Sequence, residues 1–360
     1  MTTYLSLSTP NTDEDSDSGL SQSTDEDYSE VKFPTYTPHL FSIDDFASSE
    51  NCWKKTLDTD GYVVIKDILT EGEYIKGISL FERDWNAVTP YFSFEDKSTW
   101  TKDNCPMMWD SGMITWNGFG QSDFQWHLRT NDRIKNIFKK IHNTDDLVVS
   151  YDGFSVHVSP KQESHIWLHQ DQNKNEPWVK GCDSIQGAYN FFPVDKSDAG
   201  FVVVPGSHID FTPDKEIYRK RQFIMIEKDS PFIEKAVKLL IPGNCLTLWN
   251  SYTLHQNVGM TQTCENTINN RGPADYINRL TSYITYFPKS LRSDIIYRHR
   301  VSGYYLGHNC SHYATRHDVK RAPYEYYNMN GSINRDYKFN IINSTLTDVG
   351  LIPEDRMELI

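Results

Sequence analysis

The stretch Trp167-Leu168-His169-Gln170-Asp171-Gln172 decides how the rest of the chain is read. Side chains alternate along an extended strand, so His169 and Asp171, two residues apart, share a face. One imidazole and one carboxylate on a face can reach a single cation. A second histidine from elsewhere would complete a 2-His-1-carboxylate facial triad, which leaves open positions on Fe(II). The pair alone is short and common. Its meaning depends on whether the chain also supplies a third ligand, an anion anchor and a barrel.

Around this stretch the pattern is that of strands. Val148-Val149-Ser150 and the alternation of Phe154, Val156 and Val158 with Ser155, His157 and Ser159 precede it. After it come residues 185–192 and then Phe201-Val202-Val203-Val204, which ends at Pro205-Gly206-Ser207-His208. Next are Cys245-Leu246-Thr247-Leu248-Trp249, behind Pro242-Gly243-Asn244, and a last strand over residues 279–287. Residues 213–240 form an insertion, with a helix expected over 233–240. Short strands with Gly and Pro turns between them predict a mainly β (α+β) chain built on a double-stranded β-helix, a cupin-like jelly roll. Its core is expected over about 147–288, with supporting N-terminal helices.

Those helices carry start signals. Asp60-Gly61-Tyr62 turns into the strand Val63-Val64-Ile65, and Thr70 with Glu73 has capping-box spacing for a helix to about Trp85. Asn131 or Asp132 caps a second helix, whose Ile134, Ile137, Phe138 and Ile141 form one apolar face. Residues 89–126 are irregular and rich in Trp, Met and Phe, which suits either a substrate-facing lid or a loop packed on the barrel. Three parts result: an acidic tail at 1–36 expected to be disordered, a catalytic-type domain at 37–288, and a C-terminal extension at 289–360 packed on or near the core. In the extension, His308 and His312 are expected at the surface or in local hydrogen bonds, because Gly307, Asn309 and Ser311 disfavour a helix.

Composition narrows the function classes. Of the net charge of −13, eight acidic residues and no basic ones lie in the first 30 residues, so the remainder carries −5. That balance does not suggest a nucleic-acid partner. The six cysteines are scattered without a Cys-x-x-Cys pair, which argues against a thiolate zinc site and fits reduced thiols inside a cell. No run is long and apolar enough for a membrane span, and no basic-then-apolar leader opens the chain. An intracellular, cytoplasmic location is expected.

The third metal ligand should follow a later strand, and His255 in Thr253-Leu254-His255-Gln256-Asn257 is the strongest candidate. His165 shares the face of His169 but would lie about 13 Å away at ~3.3 Å per residue. His208 ends a turn, where a local hydrogen bond is the simpler role. A keto acid bound to the metal needs a cation at the far end of the pocket, and arginine's rigid fork matches a carboxylate. Arg279, on one strand face with Thr281 and Tyr283, would offer a guanidinium and, with Thr281, a hydroxyl to a buried carboxylate, and is favoured over Arg271, which lies in an Asn-Asn-Arg-Gly-Pro turn.

Asp60 to Ile65, the His169-Gln-Asp171-Gln run, Gly200 through Pro205-Gly206-Ser207-His208, and Gly243 to His255 occur in an order that resembles the phytanoyl-CoA dioxygenase family. These enzymes are Fe(II)- and 2-oxoglutarate-dependent oxygenases on a double-stranded β-helix. The resemblance covers roughly residues 58–288. It implies His169, Asp171 and His255 as iron ligands and Arg279 as the holder of the 2-oxoglutarate C5 carboxylate. It also implies Tyr189 beside the cosubstrate and Asn257 where a hydroxyl residue often sits. The segment 261–277 is longer than the family's usual spacing before the arginine. The expected reaction consumes O2 and 2-oxoglutarate, releases succinate and carbon dioxide, and hydroxylates an unactivated C–H of a small-molecule or lipid-like substrate. A hydroxylase of protein side chains and a non-catalytic jelly-roll binding protein are the alternatives.

Overall fold

The computed structural model describes residues 32–48, 50–109, 112–158, 165–175, 177, 181–214, 221–260, 277–316, 320–321 and 352–360. Residues 1–31 of the tail expected at 1–36, the segment 261–276 with Arg271, His317, and most of the last fifty residues lie outside the described residues; within the expected tail, Thr35–Tyr36 form a paired strand.

The N-terminal part contributes strands β1 (Thr35–Tyr36), β2 (Leu40–Ser42) and β3 (Tyr62–Lys66), with helices α1 (Ile43–Ser48), α2 (Glu50–Asp60) and α3 (Glu71–Val88). The expected capping box starts α3: Thr70 Oγ1 accepts from the Glu73 amide, and Glu73 Oε2 accepts from the Thr70 amide at 2.8 Å. After β4 (Met113–Ile114) come α4 (Asp123–Arg129) and α5 (Asp132–His142). Asn131 caps α5, which buries Ile134, Ile137 and Phe138 as expected.

The barrel strands are β5 (Leu147–Val149), β6 (Phe154–Val158), β7 (His169–Gln170), β8 (Ile185–Asn190) and β9 (Gly200–Val203). After the short helix α6 (Ser207–Asp210) follow β10 (Ile224–Met225), β11 (Val237–Leu239), β12 (Cys245–Asn250), β13 (His255–Val258) and β14 (Ile277–Pro288). They form two facing sheets. The larger runs β2-β3-β12-β8-β14-β6-β4, with β5 also on β14; the smaller runs β1-β11-β9-β13-β7-β10. This is the expected double-stranded β-helix.

Strand parity sorts the side chains. Tyr62, Val64, Ala188, Cys245, Trp249 and Tyr283 of the large sheet meet Phe201, Val203 and Leu239 of the small one between the sheets. The alternate residues, Val63, Ile65, Leu246, Leu248, Leu280 and Ile284, face the helices and pack with Phe81, Trp85, Phe124, Ile137 and Phe138. Both faces of the large sheet are therefore dry, and their burial supplies most of the driving force for folding. Trp100, Phe119, Phe124 and Trp126 of the aromatic stretch belong to this helix-side core, so these residues form a packed layer and not a lid. Gly61 lies at φ +78°, and a Cβ there would come within 2.4 Å of Thr253 Oγ1. Only glycine allows β3 to start so close to the loop that precedes β13.

One expectation fails. Residues 233–240 are a 3-10 turn at Ile233–Lys235 followed by β11, not a helix. Pairing with both β9 and β1 at the edge of the small sheet outweighs a pattern equally compatible with a helix. The extension also contains a helix that its weak apolar periodicity hid, α7 (Asp294–Tyr305), capped by Ser293. It is followed by β15 (Asn309–Cys310), β16 (Lys320–Arg321) and α8 (Glu354–Met357). Arg300 of α7 donates to the carbonyls of Val149 and Ile360, and Arg356 of α8 pairs with Asp123 at 2.7 Å, so the described parts of the extension are fastened to the core.

Candidate metal centre and anion pocket

His169 and His255 lie directly opposite each other in the β7–β13 pair, both facing the space between the sheets. Their rings are 4.4 Å apart. Asp171 follows β7, where its amide donates to the Ser251 carbonyl at 2.9 Å; this turns the carboxylate back toward both rings. Its Oδ1 is 3.5 Å from His169 Nε2 and its Oδ2 is 3.2 Å from His255 Nε2. One ligand atom from each residue falls within 4.8 Å of the others, and among the described residues no further group of this kind occurs.

The outer nitrogens fix the tautomers. His169 Nδ1 lies 3.0 Å from the Trp167 carbonyl and His255 Nδ1 lies 2.8 Å from the Thr253 carbonyl. A carbonyl oxygen only accepts, so each Nδ1 carries a hydrogen and Nε2 is the ring nitrogen turned toward Asp171. Burial pushes His169 down to about 4, so its ring is neutral at physiological pH. Burial opposes the charge on Asp171, but His169 and His255 outweigh it and hold the carboxyl below its ordinary range. Two imidazoles and one carboxylate fit Fe(II).

Residues around the triad that sequence reasoning missed complete it. Gln186 on β8 donates from Nε2 to Asp171 Oδ2 at 2.8 Å and to Ser251 Oγ at 3.0 Å. Trp167 stacks on the His169 ring at 4.7 Å, and Phe223, 42% exposed, lies over it at 4.4 Å. The Tyr313 hydroxyl donates to the Asp171 carbonyl at 2.7 Å. His165 and His208 stay outside the ligand set; His208 Nε2 instead bonds the Asp58 carbonyl at 2.9 Å.

Arg279 is fully inside the barrel. Its Nε donates to Thr281 Oγ1 at 3.0 Å and its Nη1 to Asn257 Oδ1 at 2.9 Å, while Nη2 is buried without a partner. Asn257 is two residues beyond His255 on the same face of β13, about 7 Å along the strand. That spacing is about the length of an extended five-carbon dicarboxylate. Opposite Arg279 in register is His157, buried with neither ring nitrogen bonded. Burial and then the neighbouring guanidinium push His157 down to about 3. Gly112, at φ +72°, leaves room for that ring, since a Cβ would come within 2.5 Å of it. A buried cation whose Nη2 has no partner, beside an unpartnered imidazole, has the character of an anion pocket.

The other cosubstrate residues take different places. Thr281 accepts from Arg279 and gives its own hydrogen to Asn190 Oδ1, so it orients the guanidinium and has none left for a carboxylate. Asn257 also acts through Arg279, and its Nδ2 bonds Tyr283 Oη at 2.9 Å. Tyr189 is a correction. On β8, Gln186, Ala188 and Asn190 face inward, so Tyr189 faces the helices, where it bonds Asn244 Oδ1 at 2.8 Å and packs edge-on to Phe191. In the extension, His308 is buried, and His312 lies close enough to the triad to interact with Asp171 and His255.

No family model matches the chain. Among curated proteins it is similar to "Ava biosynthesis cluster protein O" of Aspergillus versicolor, 25% identical over 238 residues that span 59% of this chain and 74% of that protein. It is also similar to the "Putative phytanoyl-CoA dioxygenase" of Dictyostelium discoideum, 21% identical over 280 residues that span 67% and 76%. Among solved structures, the epimerase SnoN, crystallised with Fe3+, alpha ketoglutarate and nogalamycin RO, matches over 68% of this chain and 84% of its own at 16% identity and a TM-score of 0.47. HygX from Streptomyces hygroscopicus, with nickel, 2-oxoglutarate and hygromycin B bound, matches over 66% and 87% at 15% identity and a TM-score of 0.43.

Proposed function

We infer that the chain is an Fe(II)- and 2-oxoglutarate-dependent oxygenase of the phytanoyl-CoA dioxygenase type, and we propose that it hydroxylates an unactivated C–H of a small-molecule or lipid-like substrate. The observation that carries this reading is the pairing of the His169–Asp171–His255 set with the unpartnered Nη2 of buried Arg279, linked through Asn257. A protein that only binds ligands needs neither an open three-ligand site nor a buried cation tied to the strand that carries one of the ligands. The curated relative named a phytanoyl-CoA dioxygenase supports the activity, and the one named for a biosynthesis cluster favours a small molecule.

When bound, the iron supplies oxidative decarboxylation of 2-oxoglutarate to succinate and carbon dioxide, coupled to oxygen insertion. The chain's residues arrange this chemistry. His169, Asp171 and His255 would hold the ion on one side, and the carbonyls of Trp167 and Thr253 keep both Nε2 lone pairs directed at it. Gln186 fixes the carboxylate rotamer. Arg279 would take the distal carboxylate of 2-oxoglutarate, steered by Thr281 and Asn257, and the dry layer between the sheets excludes water.

Anaerobic addition of Fe(II) and 2-oxoglutarate tests the reading. The coloured iron–keto-acid absorption band should form in the native chain and be lost in His169→Ala. Its absence from the native chain would refute the assignment.

A further inference from the structure

We propose that His312, carried by the segment after α7, is a substrate-positioning residue whose imidazole hydrogen-bonds an oxygen of the substrate beside the metal centre. The inference rests on the oxygenase reading of the triad and adds to it a chemical requirement on the substrate.

Three observations place His312 there. Its Nε2 is shut off from solvent and has no hydrogen-bond partner. It acts electrostatically on His169 and Asp171 and itself feels Asp171 and His255, so it lies close to every member of the triad. Yet it is not among the residues whose ligand atoms converge, which makes it a neighbour of the ion and not a fourth ligand. Tyr313 anchors the segment: its hydroxyl bonds the Asp171 carbonyl at 2.7 Å, and its ring lies 4.2 Å from that of His312.

A buried polar nitrogen without a partner costs free energy. That cost is recovered when a ligand atom fills the position. Burial leaves the imidazole neutral, so it can donate to or accept from a hydroxyl, or donate to a carbonyl. The exposed ring of Phe223, 4.4 Å from that of His169, gives the same mouth an apolar wall. The substrate that fits has an apolar body and an oxygen function close to the carbon that reacts.

The test uses the full chain loaded anaerobically with Fe(II) and 2-oxoglutarate, with phenol, acetophenone and ethylbenzene as probes. Binding is read from perturbation of the iron–keto-acid band. The native chain should take the two oxygen-bearing probes several-fold more tightly than ethylbenzene. His312→Phe should abolish that preference and His312→Gln should retain part of it, with the band itself unchanged in both. If His312→Phe disturbs the band, His312→Ala, which removes bulk, carries the same comparison. An equal preference in the variants that lack the imidazole, or none in the native chain, overturns the proposal. A native chain that forms no band fails the oxygenase reading instead, and the two failures are distinct.

Discussion

Gln186 Nε2 donates to Asp171 Oδ2 at 2.8 Å, and the same oxygen lies 3.2 Å from His255 Nε2. The glutamine therefore fixes the carboxylate that completes the ligand set. Removing such a supporting partner typically costs roughly 10–100-fold in metal affinity or activity. Gln186→Leu should weaken metal binding by that order while leaving the fold intact. Titration with Ni(II) followed by calorimetry checks it, and unchanged affinity would show that Asp171 needs no support.

Arg279 is predicted to carry the distal carboxylate of 2-oxoglutarate. Arg279→Met should cost about 2–5 kcal/mol of 2-oxoglutarate affinity, the range for breaking a buried charge pair. Metal affinity should stay near that of the native chain. Arg279→Lys should recover only part of the loss, because an ammonium lacks the planar fork that Asn257 and Thr281 hold in place. Unaltered 2-oxoglutarate titrations in Arg279→Met would move the anchor elsewhere.

Asp152 gives the metal-free chain a pH dependence. Burial raises its carboxyl to about 7 from 3.8, with Asp171 adding to the shift. Between about pH 4 and 7 the folded chain holds a proton that the unfolded chain has released. Stability therefore falls as pH rises through that window, by up to a few kcal/mol. Asp152→Asn still accepts from the Gly153 amide, as Oδ1 does at 2.8 Å, but has no proton to lose. Urea unfolding at several pH values should show a flatter profile over the window and a more stable variant near pH 8.

The capping box of α3 offers a control remote from the chemistry. Thr70→Ala removes the acceptor for the Glu73 amide and should lower stability by about 1 kcal/mol. The helix supplies Phe81 and Trp85 to the core behind the large sheet, so the loss should appear in the denaturation midpoint and not in 2-oxoglutarate binding.

Much of the architecture is legible locally. The Thr70–Glu73 box and the Ile134–Ile137–Phe138 face depend on interactions within a turn or two of helix, and both are found where the residues place them. Parity alone put His169 and Asp171 together, and His255 lay at the end of a recognisable strand. The sequence also placed Arg279, Thr281 and Tyr283 on one face, and all three are buried between the sheets.

Packing at long range decided the rest. Both faces of β8 are buried, so its alternation is of inward against helix-ward and not of wet against dry. Nothing in Ile185-Gln-Gly-Ala-Tyr-Asn marks the side that Gln186 takes and Tyr189 does not. Residues 233–240 suit a helix until β9 and β1 offer them partners. His312 lies in a segment whose local residues say little, and long-range contacts such as the Tyr313–Asp171 bond, across 142 positions of chain, bring it to the triad. Sequence fixes what a residue shares with its neighbours in a strand or a turn; the tertiary structure chooses which buried face looks onto the metal, because that choice depends on contacts no local pattern encodes.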